Sequence, residues 1–297
     1  MTHSSAQLQH RFYWFIGITI LAFCLVPSAH TSALISNKAS TCTLKMVYKE
    51  GGKEPLIKEM PNNEGVYNDL FSEAAARIGC KLEISRLPKV RLMLMLKSGE
   101  SDFYPGSSFS NKRAAYLHYV PNGLLTAEYG ITNKAIPELK SYEDLKKHSI
   151  TWLMENESSK IEKAKKYQLM IGKRNYLNLV FVSKYITRAK DHNYFYVADK
   201  EIVDYFPRRV GKSLDELGLK VHKKCCEGIK AMYLGFSKKS PHYGEIKNTD
   251  YDDASPLSPE NVPVSMHPDS IVYKLGIALS DMKKEGRVDE IYQEWFD

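Results

Sequence analysis

Apolar positions along this chain fall into two alternating periods. Over residues 44–48 they alternate with polar ones, the two-residue period of a half-buried strand. Val66, Leu70, Ala74 and Ile78 then fall four apart on one face of a predicted helix, which Gly79 stops. Residues 81–85 predict a second strand. Pro88 opens a second helix with Val90, Met93 and Leu94 on its apolar side, closed by Gly99. Residues 102–104 predict a third strand. Strand, helix, strand, helix, strand implies parallel pairing with right-handed crossovers.

The pattern then restarts. Ser141-Tyr-Glu-Asp144 caps a short helix, residues 149–153 read as a strand, and Ser158-Ser159 opens a helix carrying Ile161, Ala164 and Tyr167. Residues 179–182 and 194–198 predict further strands, and residues 230–237 one more that leads back. Residues 237–268, rich in Pro, Asp and Ser, read as an irregular loop. At the end, Ile271, Leu275, Ala278, Leu279 and Met282 share a helical face. Gly286 interrupts it before a turn bearing Val288, Ile291 and Trp295. The expected fold class is α/β, two Rossmann-like lobes joined by a two-stranded hinge. Ligands bind beyond the carboxyl ends of the strands in such sheets, so two facing lobes make a cleft there.

Composition narrows the class. With 43% hydrophobic and 26% charged residues the chain is globular, not disordered or fibrous. Residues 1–33 read as a secretory signal, with Arg11 as the positive region, an apolar run over residues 12–26, and small residues at Thr31-Ser32-Ala33. A retained anchor is the alternative; a lipoprotein signal at Cys24 is disfavoured by Phe23. The formal charge of +7 loses one unit, Arg11, with that segment. The remaining Lys/Arg pairs are scattered and carry no stripe of stacking aromatics, so they read as solvated faces and no nucleic acid is expected.

Four cysteines follow the signal segment: Cys42, Cys80, Cys225 and Cys226. In an exported chain they invite disulfides, with three pairings open. If the strands that Cys42 and Cys80 open are neighbours, those two can bridge. Cys225-Cys226 allows a vicinal bridge, or a metal site with His222 and Glu227, whose spacing matches no standard zinc pattern. No cofactor is expected.

Several segments, in order, resemble the extracellular solute-binding proteins of the polar-amino-acid type, the periplasmic receptors of ABC importers. They are Gly65-Val-Tyr-Asn-Asp-Leu70, Leu96-Lys-Ser-Gly-Glu-Ser-Asp102, Ser108-Phe-Ser-Asn-Lys-Arg113, Tyr196-Val-Ala-Asp199, Tyr233-Leu-Gly-Phe-Ser-Lys238, and the terminal run from Lys284 to Trp295-Phe296. The resemblance implies a type II periplasmic-binding-protein fold. Lobe 1 would span residues 42–127 plus 233–297 and lobe 2 residues 128–232, with crossings near residues 126–130 and 230–234. It further implies a small polar, amino-acid-like solute, a membrane ABC permease as partner, a monomer, and a periplasmic location.

The same resemblance makes Arg113 the ligand-carboxylate clamp, with Ser108 as helper; a bidentate guanidinium suits that task. The alternative is a helix-surface arginine. Asp199 would meet a ligand ammonium, or else cap the following helix. Tyr48 would form an aromatic wall, or simply pack in the core. Ser158 opens a helix whose free N–H groups favour an anion, though plain capping explains it equally. Arg91, among Leu and Met, points either into the cleft or out from a core helix. Met154-Glu-Asn-Glu157 departs from the family's Gly- and Thr/Ser-rich turn and adds negative charge near the presumed carboxylate site. The reading is therefore binding, not catalysis. The rival classes are a cyclohexadienyl-dehydratase-like enzyme, with Glu155 and Glu157 as candidate acids, and a soluble partner of a membrane sensor.

Overall fold

The structure, a computed structural model, describes residues 42–189 and 191–296. The signal segment read over residues 1–33 lies outside the described residues. Strand β1 (Cys42–Lys49) leads through α1 (Val66–Arg77) to β2 (Cys80–Leu87), then α2 (Lys89–Ser98), β3 (Phe103–Tyr104), α3 (Asn111–Ala114) and β4 (Leu117–Thr126). The chain continues through β5 (Glu128–Asn133), α4 (Tyr142–Lys147), β6 (Thr151–Glu155), α5 (Ile161–Lys166), β7 (Ile171–Arg174), α6 (Leu179–Arg188), β8 (Tyr194–Asp199), α7 (Lys200–Val210) and β9 (Leu219–His222). It returns through β10 (Lys230–Ser237), a hairpin of β11 (Glu245–Lys247) and β12 (Val264–Met266), and ends with α8 (Ile271–Lys284) and α9 (Arg287–Glu294).

Among the described residues there are two five-stranded sheets, ordered β2-β1-β3-β10-β4 and β7-β6-β8-β5-β9. In each, three neighbouring strands pair in parallel through helical crossovers, a fourth runs against them (β10 or β5), and the edge strand beyond it (β4 or β9) runs with the parallel set again. The fold is α/β, two Rossmann-like lobes joined by a two-stranded hinge. Parallel strands covered on both faces bury both sets of side chains. On β6, for example, Trp152 enters one core cluster of its lobe and Leu153 the other. The first sheet has one continuous core around Leu44, Met46, Phe71, Phe103 and Phe236.

The outgoing crossing is a single residue, Ala127, between β4 and β5. The return runs between His222 and Lys230. Lys230 already pairs with Thr126 in the first sheet, and the Glu128 N–H donates to the Glu227 carbonyl at 2.9 Å, so the two connections are tied together.

Several family-like segments turn out to be structural ties. Gly65 has φ +140°, and a Cβ there would lie 2.6 Å from the Leu56 carbonyl oxygen, so only glycine suits this helix start. Asp102 accepts from the Lys45 backbone N–H and the Ser240 hydroxyl, each at 2.6 Å, locking β1 to the segment after β10. Trp295 donates its indole N–H to Asp69 at 2.7 Å, fastening the C-terminal end onto α1. Cys42 and Cys80 stand opposite each other in the β1–β2 register and are disulfide-bonded.

Some expectations are corrected. Residues 179–182 begin a helix, α6, not a strand. Leu179, Val182, Ser183 and Ile186 are its buried face, and the Asn178 side chain caps it by accepting from the Phe181 N–H at 2.7 Å. The run Leu-Val-Phe-Val looked extended because branched side chains favour strands, and packing overrode that preference. In α2 the buried residues are Leu92, Met93 and Leu96, whereas Val90 and Leu94 are 50% and 61% exposed. Six of its positions are apolar in a row or nearly so, and no period selects a face. The loop expected over residues 237–268 contains the β11–β12 hairpin.

At the return crossing, Cys225 and Cys226 are bonded to each other, which removes them as metal ligands. His222 is fully buried; its Nε2 meets the Thr132 hydroxyl at 2.7 Å and its Nδ1 accepts from the Leu139 N–H at 3.0 Å. Both ring nitrogens are engaged, and burial lowers the imidazole's proton affinity.

Candidate ligand-binding cleft

The carboxyl ends of the parallel strands in both sheets converge on one cleft, with a cavity volume of about 160 Å³. Tyr48, Ser108 and Arg113 line it from the first lobe, and Ser158 and Asp199 from the second. Five of the six residues singled out from the sequence thus meet. The sixth does not: Arg91 lies on the exposed side of α2, in a surface groove with Leu94 and Lys97. The face of α2 that turns inward is taken by Leu92, Met93 and Leu96, which leaves Arg91 to solvent.

Arg113 sits on the single-turn helix α3, whose N-cap Ser110 hydroxyl accepts the Arg113 N–H at 3.4 Å. This turn drives the side chain inward, where the residue is only 6% exposed. Its guanidinium donates to the Ser108 carbonyl at 3.2 Å and, across the cleft, to the Glu157 carbonyl at 2.7 Å. A guanidinium carries five N–H groups, so donors remain for a ligand. Ser108 enters this geometry through its backbone oxygen, which also accepts from the Tyr119 hydroxyl at 3.1 Å.

Asp199 ends β8 and stands at the N-cap of α7, but its side chain makes no capping bond. It turns instead into the cleft and pairs with Lys53 of the first lobe. Lys53 is held by a short loop in which its N–H donates to the Ile57 carbonyl at 2.7 Å. Burial pulls the Lys53 ammonium down to about 8. Tyr48 is almost fully buried and stacks on Tyr104 with centroids 5.2 Å apart, forming the floor. Ser158 lies in a turn, not at a helix start; α5 begins at Ile161, and the Ser158 hydroxyl accepts from the Lys160 N–H at 3.3 Å.

Sequence reasoning named Glu155 only as a rival catalytic acid and overlooked the two lysines that meet it. Glu155, at the end of β6, reaches across to Lys49 at 2.8 Å and Lys89 at 3.0 Å. It also accepts from the Leu177 N–H at 3.2 Å. Burial works against its charge, but Lys49 and then Lys89 outweigh it and hold the carboxyl down to about 2. For Lys89 burial wins over Glu155 and lowers the ammonium to about 8. These two shifts fit together once the charges are counted: two ammonium groups share one carboxylate, so the pair is overcharged. The signal for both lysines was present. Lys49 directly follows Tyr48 at the end of β1, and Lys89 follows β2 after Pro88, the ends where ligands bind.

Residues 53–297 match the family model of bacterial extracellular solute-binding proteins, family 3. No curated protein matches the chain. Similar solved structures include an ancestral arginine-binding protein bound to arginine, 19% identical, with TM-score 0.61, covering 87% of this chain and 100% of that one. Another is an ancestral amino-acid-binding protein described as a precursor of cyclohexadienyl dehydratase, 18% identical, with TM-score 0.58, covering 86% of this chain; 96% of that chain is covered. A third is the GluR0 ligand-binding core from Nostoc punctiforme in complex with L-glutamate, 14% identical, with TM-score 0.60, covering 86% of this chain and 99% of that one. At these identities the likeness speaks for the fold.

Proposed function

Because the chain belongs to the bacterial extracellular solute-binding proteins of family 3, we propose that it captures a small polar solute by lobe closure and delivers it to a membrane ABC permease outside the cytoplasm. Lobe 1 is assigned residues 42–127 plus 233–297 and lobe 2 residues 128–232, with Lys230, Ala231 and Met232 as the hinge end of β10. The observation that carries this reading is the set of contacts spanning the cleft. Arg113 to Glu157, Lys49 and Lys89 to Glu155, and Lys53 to Asp199 all join one lobe to the other at the strand ends. A solute that touches both walls stabilises the closed form by its differential affinity for that form. Arg113 and Ser108 are the proposed grip on a ligand carboxylate, with Tyr48 below it and Ser158 and Asp199 opposite.

Binding is favoured over catalysis by the state of Glu155. A carboxyl held near 2 has already lost its proton at neutral pH and cannot serve as the acid that helps water leave. Glu157 is exposed and paired with Lys112 at 3.2 Å, away from the cleft floor.

Two measurements test the proposal. A thermal-shift screen of amino acids, polyamines and small organic acids should raise the melting temperature for the true ligand by mass action. Arg113→Ala should then weaken that ligand by about tenfold or more, the loss of a charge-assisted clamp. An unchanged dissociation constant removes Arg113 from the site.

A further inference from the structure

The cleft's charges do not balance, and the imbalance is local. Lys160 on the wall shares the buried Glu128 with Lys230, which Glu227 also answers, and Arg209 meets Glu54 at 3.4 Å and Glu59 at 3.6 Å. Lys53 is answered by Asp199. Lys49 and Lys89 share Glu155, which leaves one positive charge over. Arg113 forms no ion pair among the described residues and meets carbonyl oxygens instead. Two uncompensated positive charges therefore face the same end of the cleft. They are near enough for Arg113 to depress the proton affinity of Lys89.

The opposite consideration concerns the ammonium subsite. Asp199 is the acid positioned to receive a ligand amine, yet the Lys53 ammonium already occupies it. A zwitterionic amino acid would have to displace Lys53, leaving that charge unpaired inside the cleft. A ligand without an amine avoids that cost.

Resting on the solute-binding reading above, we propose that the solute is a small dicarboxylate-type anion: two acidic groups, one on Arg113 and one on the Lys49–Lys89 pair, with no ammonium. Lys53 is the protein's own substitute for the missing amine. The small cavity fits a short carbon chain. Of the carboxylates lining the cleft, Glu155 is the one that competes with the ligand for the lysines. Binding then compensates both excess charges, and Lys89 regains proton affinity on binding. Binding therefore takes up protons above about pH 8, where Lys89 of the free protein starts to lose its own, so affinity falls as pH rises past that point.

Isothermal titration of the purified protein with succinate, glutarate, L-glutamate, L-glutamine and L-arginine tests the assignment. Succinate or glutarate should bind at least as tightly as glutamate, and about tenfold or more tighter than glutamine or arginine. Lys53→Ala should move the glutamate-to-glutarate affinity ratio about tenfold in favour of glutamate, since Asp199 is then free to take the amine. Saturable binding of glutamine or arginine without binding of the dicarboxylates overturns the ligand class and leaves solute capture standing. A ratio unmoved by Lys53→Ala overturns the role of Lys53. If neither this panel nor the wider solute screen shows any binding, the proposed function itself fails, and this inference with it.

Discussion

At Glu155 a single carboxylate answers to two ammonium groups, and this decides how the site responds to acid. Its carboxyl is depressed from 4.5 to about 2, so the stabilisation is fully present above pH 4.5 and is lost as pH falls through 2. That shift corresponds to about 3 kcal/mol for this buried group. Glu227 is also held near 2, against burial, by Lys163 and Lys230, so the whole molecule loses stability over the same window. Denaturant unfolding of Glu155→Gln from pH 5 to pH 2 should therefore show a shallower loss than the parent chain. Parallel curves would mean that Glu155 is not one of the groups responsible. At this scale Arg113 and Asp199 could be read from the sequence because each sits in a family-like segment. Lys49 and Lys89 carried a weaker signal, their place at the carboxyl ends of β1 and β2, and nothing else local distinguishes a lysine that faces a cleft from one that faces water.

Among the elements, helices with clear periods and end signals were legible and those without were not. α1 and α8 carry apolar residues at helical spacing, and α8 buries Val272, Leu275, Ala278, Leu279 and Met282. α6 was missed because its first turn is rich in branched residues, and the cue that outweighs them is one side chain, Asn178. Its amide oxygen caps the helix and its amide N–H₂ donates to the Tyr176 hydroxyl at 2.7 Å. Asn178→Ala should cost about 1 kcal/mol in chemical denaturation, the usual worth of an N-cap. Asn178→Asp keeps the cap acceptor and should recover most of that loss. If alanine costs nothing, the helix start is held by packing alone.

For the whole molecule, the cleft-spanning ion pairs hold the two lobes together with the protein's own charges. Those pairs are partly shielded from solvent, with side-chain exposures of 10% for Glu155 and 17% for Lys89, so salt screens them less than surface pairs. Replacing Lys49 and Lys89 together by Gln should leave Glu155 without counter-ions and favour an open arrangement. Small-angle X-ray scattering should then show a larger radius of gyration than the parent chain. An unchanged radius would assign closure to other contacts, such as Arg113 on Glu157.

By itself the sequence determined what short-range physics controls: the two periods, the alternation of strand and helix, the restart that makes two lobes, and the segments that carry the family likeness. Only the tertiary structure decided which charges meet. The partners of Glu155 lie 66 and 106 residues away along the chain, and Lys53 finds Asp199 across the other lobe. Such pairings depend on how two sheets face each other, and no local period or cap encodes that.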